Sequence, residues 1–285
     1  MWVWVVLALA IIVLILLLNR STSSFQDGIP KIIWSYWVQE NPPELVQKCV
    51  ESWKKHCPDY EIRFLNRNTL SHWIPEFKLS AMKNNDGPAR ESDFIRVSLL
   101  SKYGGFWLDA STMLNRSLDY IRDIQSEKGC EVVGYYIEKS TTRPEYPVIE
   151  NWFFACVPGS SFMQKLRDEF MSINDYADVD EYLKEKRKSG VDFQEIDGPN
   201  YLAMHVSAQV VMQKHMGPEE VAKKLHLMKA EDGPLAHIRD GLLGELPNIK
   251  DICDNGSSSP FVKFTSMDRK FLNFIETFGA CKYLN

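Results

Sequence analysis

Three charged residues have the types and spacing to bind a polar ligand. Asp93 and Arg96 are three positions apart, so their side chains would be neighbours on a helix. A carboxylate beside a guanidinium offers paired acceptors and donors to adjacent groups of a ligand. Asp109 directly follows the apolar residues 106–108, which are typical of a buried strand. An acid at the carboxyl end of an inner strand lies where open α/β sheets bind ligands.

The elements that must position these residues are a helix, a glycine stop and a short strand. Ile95, Leu99 and Leu100 recur at helical spacing, which predicts an apolar face opposite the charged pair. Gly104 and Gly105 supply the left-handed conformation that ends such a helix. Taken singly, the ion pair is typical of a solvated surface and the glycines of a turn. Their joint order and spacing favour a functional site.

This order also resembles a known family. Ser-Asp-x-x-Arg, seven residues and then Gly-Gly-x-x-x-Asp is similar to the core of the DxD nucleotide-sugar glycosyltransferases. The nearest resemblance is to the capsular polysaccharide synthesis proteins, relatives of Golgi mannosyltransferases and glucosylating toxins. It implies that Asp93 and Arg96 hold the donor sugar and that Asp109 binds Mn²⁺ or Mg²⁺ on the diphosphate. The second acid of the motif is replaced by Ser111, which would ligate a metal only weakly or through water.

The resemblance assigns further donor contacts near the start of the domain. Residues 29–37 resemble the opening strand of the same transferases, which implies that Trp37 stacks on the nucleotide base. Trp34 stands where many relatives carry histidine, and Trp107 where they place an aromatic beside the uridine. Gly105 belongs to the same donor-binding set. The alternative, that these tryptophans are packed in the core, stays open at this stage.

Later segments resemble the family in short stretches. Asn151 and Trp152 are similar to its acceptor-side segment, and Tyr201 follows a Gly-Pro turn that relatives place near the active site. Residues 260–265 resemble a late Pro-x-x-Lys-Leu-Thr segment, which implies that Lys263 contacts the diphosphate. A turn residue, a plain helix start and a solvated lysine are the alternatives.

The function implied is a metal-dependent glycosyltransferase. It would move a hexose from a UDP- or GDP-hexose onto a glycan, polysaccharide or glycolipid acceptor, with retention of configuration. A catalytically inactive sugar-nucleotide-binding or scaffold protein is the main alternative. A metal-dependent phosphohydrolase using Asp109 is disfavoured, because no further acids and histidines cluster near it. We expect Gly105→Val or Asp109→Asn to abolish transfer without unfolding the domain.

Composition and patterning predict one α/β domain. The chain has 285 residues, 45% of them hydrophobic, which suffices for one sizeable core. A strand near residues 32–33, a helix over 43–56 and a strand over 60–65 form a βαβ unit. Further strands over 131–137 and 152–157 and helices over 162–173 and 202–214 predict a GT-A-like open, mostly parallel sheet with helices on both faces. The charged residues 174–194 are expected to form an exposed insertion.

The amino terminus predicts a membrane anchor. Residues 2–18 are an unbroken apolar run, so we expect an anchor over 1–19, a stem over 20–27 and the transferase domain over 28–285. A cleaved signal peptide is the alternative. Arg20 alone would favour a cytoplasmic domain, whereas the resemblance favours a Golgi-like lumenal one. The net charge of −5 without a basic tract argues against nucleic acid as a partner.

The six cysteines contain no C-x-x-C pair, so a zinc site is not expected. In an oxidising compartment, Cys49 with Cys57 and Cys253 with Cys281 would each be able to close a loop.

Overall fold

The strands form one large sheet and one small one. In a computed structural model of the chain, the structure is described for residues 28–238, 246–274 and 281–284. In chain order, the strands are β1 (Ile32–Tyr36), β2 (Glu61–Leu65), β3 (Gly105–Leu108), β4 (Thr112–Leu114), β5 (Val132–Tyr136), β6 (Ile149–Cys156), β7 (Leu225–Lys229) and β8 (Phe261–Lys263). The six-stranded sheet has the order β2-β1-β3-β6-β5-β7, and β4 pairs with β8. In the large sheet only β6 runs antiparallel to its neighbours. The predicted open, mostly parallel sheet is therefore confirmed.

The helices connect and cover these strands. They are α1 (Glu44–His56), α2 (Leu70–Trp73), α3 (Pro88–Tyr103), α4 (Asp119–Lys128), α5 (Ser161–Met171), α6 (Val179–Lys188), α7 (Ala203–Val210), α8 (Pro218–Lys224), α9 (Leu246–Asn255) and α10 (Ser266–Phe274). A π-helical segment at Val211–Met216 continues α7, and short 3₁₀ turns lie at Leu79–Ala81, Ser172–Asp175, Ala230–Asp232 and Ala236–Ile238. The predicted β1-α1-β2 unit is present with parallel strands.

Apolar side chains pack on both faces of the large sheet. Successive strand residues point to opposite faces, so Trp34 and Trp107 join one cluster while Ile33 and Phe106 join the other. Residues of α3, α5, α6 and α7 complete the first cluster, and residues of α1 and α4 complete the second. A sheet covered on both faces is what the mostly parallel topology requires.

Helix α3 is buried on nearly all sides, which differs from the predicted amphipathic helix. Its contacts are with the sheet strands β1 and β3 and with α5. The charged side chains of Glu91, Asp93 and Arg96 are buried as well. The charges on its polar face are therefore paired within the protein rather than lying on a solvated surface.

The charged segment 174–194 is also less exposed than predicted. Helix α6 buries Val179, Tyr182 and Leu183 in the first apolar cluster. The Tyr182 hydroxyl donates to Glu169 at 2.9 Å. The spacing of these apolar residues within a highly charged run fixes the helix against the core.

The predicted anchor (residues 2–18) and stem (20–27) lie outside the described residues and stay predictions. Within residues 28–238, 246–274 and 281–284, no helix combines the length and apolarity needed to cross a membrane.

Cys253 and Cys281 form a disulfide, whereas Cys49 and Cys57 are buried free thiols. Of the two loop closures considered, only the second is formed.

Candidate functional site

A cleft of about 740 Å³ opens where β1 and β3 end. Trp37 follows β1 and Asp109 follows β3, and both line the cleft. The polar side of α3 contributes Asp93 and Arg96 to the same lining. The strand-end position predicted for Asp109 is confirmed by its place after an inner strand of the sheet.

Asp93, Arg96 and Asp109 form a continuous chain of ion pairs. The guanidinium of Arg96 donates through Nη1 to Asp93 Oδ1 at 2.5 Å and through Nη2 to Asp109 Oδ1 at 2.7 Å. Asn151 on β6 donates to the same oxygen of Asp93 at 3.0 Å. The helical neighbours and the strand-end acid that the sequence analysis selected separately are therefore in direct contact.

The small sheet brings Lys263 to Asp109 across 154 positions of sequence. Strand β8 pairs with β4 so that Lys263 lies opposite Thr112, next to Ser111. The ammonium of Lys263 donates to Asp109 Oδ2 at 2.8 Å and to Ser111 Oγ at 3.0 Å. Lys263 thus lies at the site, and it is buried rather than a solvated surface charge.

Arg269 is a cation of the site that the sequence analysis missed. It lies in the first turns of α10, lines the cleft and donates through Nη1 to Ser111 Oγ at 3.2 Å. A single arginine in a helix near the carboxyl terminus carries no motif. Only the pairing of β8 with β4, which delivers α10 to the cleft, reveals its position.

The charges shift the ionisation of these groups in different directions. Burial alone would raise the pKa of Asp109, but the positive charges of Lys263 and Arg96 outweigh it and hold that pKa well below its ordinary value. Burial lowers the pKa of Lys263, and the attraction of Asp109 offsets only part of this effect. Burial also raises the pKa of Asp93, against the opposing charge of Arg96. Asp109 is accordingly the more firmly ionised of the two carboxylates.

Asp109 and Ser111, the predicted metal ligands, do not offer a donor set that suits a divalent cation. Both oxygens of Asp109 already accept hydrogen bonds from cations. The Ser111 hydroxyl donates to the carbonyl of Phe264 at 2.9 Å, and its two acceptor positions are used by Lys263 and Arg269.

Other carboxylates do not make up the deficit. Across the described residues, no group of three histidine, cysteine, aspartate or glutamate side chains is arranged to hold a metal ion. The metal roles expected of Asp109 and Ser111 therefore do not fit their surroundings, because the positions that a metal would need are occupied by positive charge.

Three residues expected to contact the donor do not lie in the cleft lining. Trp34 is fully buried, and its Nε1 donates to the carbonyl of Gly104 at 3.0 Å. Trp107 is also fully buried; its Nε1 donates to Asp109 Oδ1 at 3.1 Å and the Arg96 guanidinium lies over its ring. Gly105 is buried in β3. Gly105 and the two tryptophans lie beneath the residues that line the cleft, because strand alternation turns the rings of Trp34 and Trp107 into the core.

Trp37 and the three predicted acceptor-side residues do line the cleft. Trp37 is half-buried, and Tyr201 is 69% exposed at the rim. Trp152 is stacked on Tyr135 with ring centroids 5.5 Å apart, and Asn151 beside it is half-buried. The two walls of the cleft therefore each carry an aromatic side chain, with the charged groups between them.

His205 and Glu150 also face the cleft and were not selected from the sequence. His205 is buried on α7, with its Nε2 3.8 Å from Glu150 Oε2. Glu150 immediately precedes Asn151 on β6. A histidine within an apolar helix resembles an ordinary core residue, so only its position in the fold distinguishes it.

Unpaired buried nitrogen atoms concentrate along this cleft. Within the described part of the chain, the atoms without a hydrogen-bond partner that belong to lining side chains are Nε1 of Trp37 and Trp152, Nη1 of Arg90, Nε of Arg96 and Nδ1 of His205. Buried polar atoms without partners are uncommon because they cost free energy. Their concentration at one place indicates a surface shaped to meet a polar ligand.

Comparison with known sequences identifies one matching family and several relatives named as glycosyltransferases. Residues 17–184 match the family described as capsular polysaccharide synthesis protein. O-glycosyltransferase braB of Annulohypoxylon truncatum is 30% identical over 164 residues, which are 52% of this chain and 38% of that protein. Glycosyltransferase afumC of Aspergillus fumigatus is 30% identical over 168 residues, which are 53% of this chain and 42% of that protein. The chain thus spans about two fifths of the length of these curated relatives.

Solved structures show a more distant similarity. A glycosyltransferase involved in the glycosylation of the major capsid of PBCV-1 aligns with 84% of this chain and 95% of its own. The sequence identity is 10% and the TM-score is 0.45.

Proposed function

We propose, since the chain belongs to the capsular polysaccharide synthesis protein family and has glycosyltransferase homologues, that it transfers a hexose from a nucleotide diphosphate sugar to a glycan, polysaccharide or glycolipid. The observation that carries this proposal is the chain of ion pairs Asp93–Arg96–Asp109 in a large cleft. It offers acceptors and donors side by side, which is what a sugar with several hydroxyl groups requires.

The donor sugar would be oriented by Asp93 and Arg96. Arg96 keeps a buried Nε without a partner in the described residues, and Asp93 is shared with the Asn151 amide. Hydrogen bonds from these groups to neighbouring hydroxyls would hold the anomeric carbon in one orientation toward the acceptor. Asp109 helps to fix the position of Arg96 by accepting a hydrogen bond from its guanidinium.

The nucleotide would lie along the wall that carries Trp37, which lines the cleft and whose buried Nε1 has no partner among the described residues. The acceptor would enter past Asn151, Trp152 and the exposed ring of Tyr201. Aromatic rings suit both ligands, since a base stacks on them and a sugar places its apolar C–H face against them.

Transfer breaks the bond between the anomeric carbon and a diphosphate oxygen, and the bonding pair leaves with the diphosphate. The acceptor hydroxyl oxygen bonds to the anomeric carbon, and its proton passes to the departing phosphate oxygen. The resemblance to retaining transferases supports retention of configuration. The positive groups at Lys263 and Arg269 lie where they would neutralise the charge that develops on the leaving group.

The full chain tests this proposal when it is incubated with a panel of UDP- and GDP-hexoses, with and without acceptor glycans. We expect one donor to release free nucleotide diphosphate and its sugar to appear on an acceptor. Asp93→Asn should lower this turnover at least about 100-fold, because the sugar loses its orienting carboxylate. The Asp93→Asn variant should still bind free UDP or GDP, which carry no sugar, as tightly as the unaltered chain does.

The matched control is Asp175→Asn, which removes an exposed carboxylate outside the cleft lining and should keep full turnover. Tight binding of a nucleotide sugar without transfer to any acceptor would instead support the inactive binding protein. Release of inorganic phosphate without acceptor would support a hydrolase.

A further inference from the structure

We propose that the cleft binds the diphosphate of its donor through Lys263 and Arg269 and requires no divalent metal. This inference rests on the proposed function and specifies how the leaving group is held. Its starting point is the arrangement around Ser111, whose hydroxyl accepts hydrogen bonds from both cations, at 3.0 Å from Lys263 and 3.2 Å from Arg269.

The hydrogen-bonded cluster around Ser111 contains more positive than negative groups. Arg96, Lys263 and Arg269 contribute three positive charges, while Asp93 and Asp109 contribute two negative ones. With these groups ionised, the connected cluster carries a net positive charge before any ligand enters. A diphosphate oxygen beside Lys263 and Arg269 would be attracted by this local positive charge.

Counted over the described part of the chain, Lys263 and Arg269 also have N–H donors left for phosphate oxygens. A lysine ammonium has three N–H donors, and Lys263 uses two of them, on Asp109 and Ser111. A guanidinium has five, and the hydrogen bond of Arg269 among the described residues is to Ser111. Arg269 is half-buried and lines the cleft, so its remaining N–H groups are accessible to a ligand.

The anchoring of both cations fits this role. Strand β8 fixes Lys263 through its ladder with β4, and the amide of Phe264 donates to the carbonyl of Ser111 at 2.9 Å. Ser111 therefore acts as a positioning residue that spaces the two cations, rather than as a metal ligand. Cations fixed before the reaction can stabilise a leaving diphosphate without reorganising, which is the part that a metal plays elsewhere.

Isothermal titration of the full chain with UDP, GDP and inorganic pyrophosphate tests the inference, in EDTA and again with Mn²⁺. We expect at least one nucleotide diphosphate to bind in EDTA with an affinity within about twofold of that in Mn²⁺. Arg269→Gln should weaken this binding at least about tenfold. Lys270→Gln, which removes an adjacent exposed positive charge, should change it less than about twofold.

Thermal melting of each variant verifies that it is folded, and Arg269→Lys should recover part of the affinity if charge is what the ligand needs. Binding that requires Mn²⁺ would overturn the metal-free cradle and leave the transferase proposal standing. Equal losses in the Arg269→Gln and Lys270→Gln variants would overturn the assignment of Arg269. Absence of binding by all three probes in both buffers would overturn the proposed function and the inference together.

Discussion

At the scale of single residues, Asp109 shows how a carboxylate is defined by its partners. Its position at the end of β3 is a local property of the sequence, but its ionisation and its hydrogen bonds come from Arg96 and Lys263. Both cations hold the pKa of Asp109 well below its ordinary value in spite of burial. The carboxylate is therefore a fixed negative charge that orders two cations, and it has little capacity left for a metal.

Gly105 is required by a close backbone contact as well as by the left-handed conformation expected from the sequence. Its φ is +93°, and a Cβ there would lie 2.8 Å from the carbonyl oxygen of Ile32. The expectation that Gly105→Val abolishes transfer without unfolding does not fit this geometry. A side chain at this position has to displace the backbone of β1, so any loss of activity would come from loss of the fold.

We predict that Gly105→Ala lowers the free energy of unfolding by about 3 kcal/mol or more, through both the positive φ and the clash. Gly129→Ala is the matched control, since Gly129 also has a positive φ of +63° but nothing lies within 4 Å of its would-be Cβ. That variant should lose only about 1 kcal/mol. Urea denaturation of both variants measures the difference, and equal losses would show that the contact with Ile32 is unimportant.

At the scale of elements, the site depends on a few connections between distant segments. The two strands β4 and β8 place the carboxyl-terminal cations beside Asp109, and the buried helix α3 supplies the floor of the cleft.

A second connection lies at β5, the fifth strand in the order of the large sheet. Glu131 immediately precedes β5 and links this strand to two helices. Its carboxylate accepts from the amide of Ser161 at 2.7 Å, at the start of α5, and lies 3.2 Å from the ammonium of Lys224 on α8.

Glu131→Gln should therefore destabilise the domain by about 2 kcal/mol, because the first amides of α5 lose their buried anion. The half-buried Lys224 keeps Glu220 as a partner at 2.7 Å, so its loss adds little. The comparison is Glu127→Gln, where an exposed carboxylate pairs with its neighbour Lys128 and little change is expected. Chemical denaturation monitored by tryptophan fluorescence gives both values. A small effect at Glu131 would show that the link between β5 and these helices is not needed for stability.

At the scale of the whole molecule, the carboxyl-terminal part supplies several of the residues that line the cleft. The disulfide between Cys253 and Cys281 spans 28 positions and closes a loop that contains β8 and α10. Lys263 and Arg269 both lie within this loop. The bond that restricts the unfolded chain therefore also restrains the segment that carries the proposed diphosphate contacts.

Removing the bond with Cys253→Ser and Cys281→Ser together should lower the free energy of unfolding by about 3.5 kcal/mol, as expected for a loop of this length. We also expect weaker binding of UDP or GDP, because the cations are less firmly placed. Dithiothreitol should lower the melting temperature of the unaltered chain to that of the double variant and leave the double variant unchanged. Identical melting of oxidised and reduced chain would contradict this role.

The sequence by itself determined the relations that are local along the chain. The three-residue spacing brings Asp93 to Arg96 on any helix, a glycine pair ends that helix, and a strand must deliver Asp109 at its carboxyl end. Patterning likewise indicated the α/β class, because the apolar periodicity of each helix and strand is a property of its own residues.

Only the tertiary structure decided which distant residues meet and which way the tryptophans face. Trp34, Trp107 and Trp37 are all tryptophans in or beside a predicted strand, so the sequence does not distinguish them. Strand alternation nevertheless turns Trp34 and Trp107 into the core, whereas Trp37 lines the cleft. Lys263 and Arg269 reach Ser111 because β8 pairs with β4 in one register. Such pairing between segments about 150 residues apart depends on the packing of the whole chain, which short-range spacing does not encode.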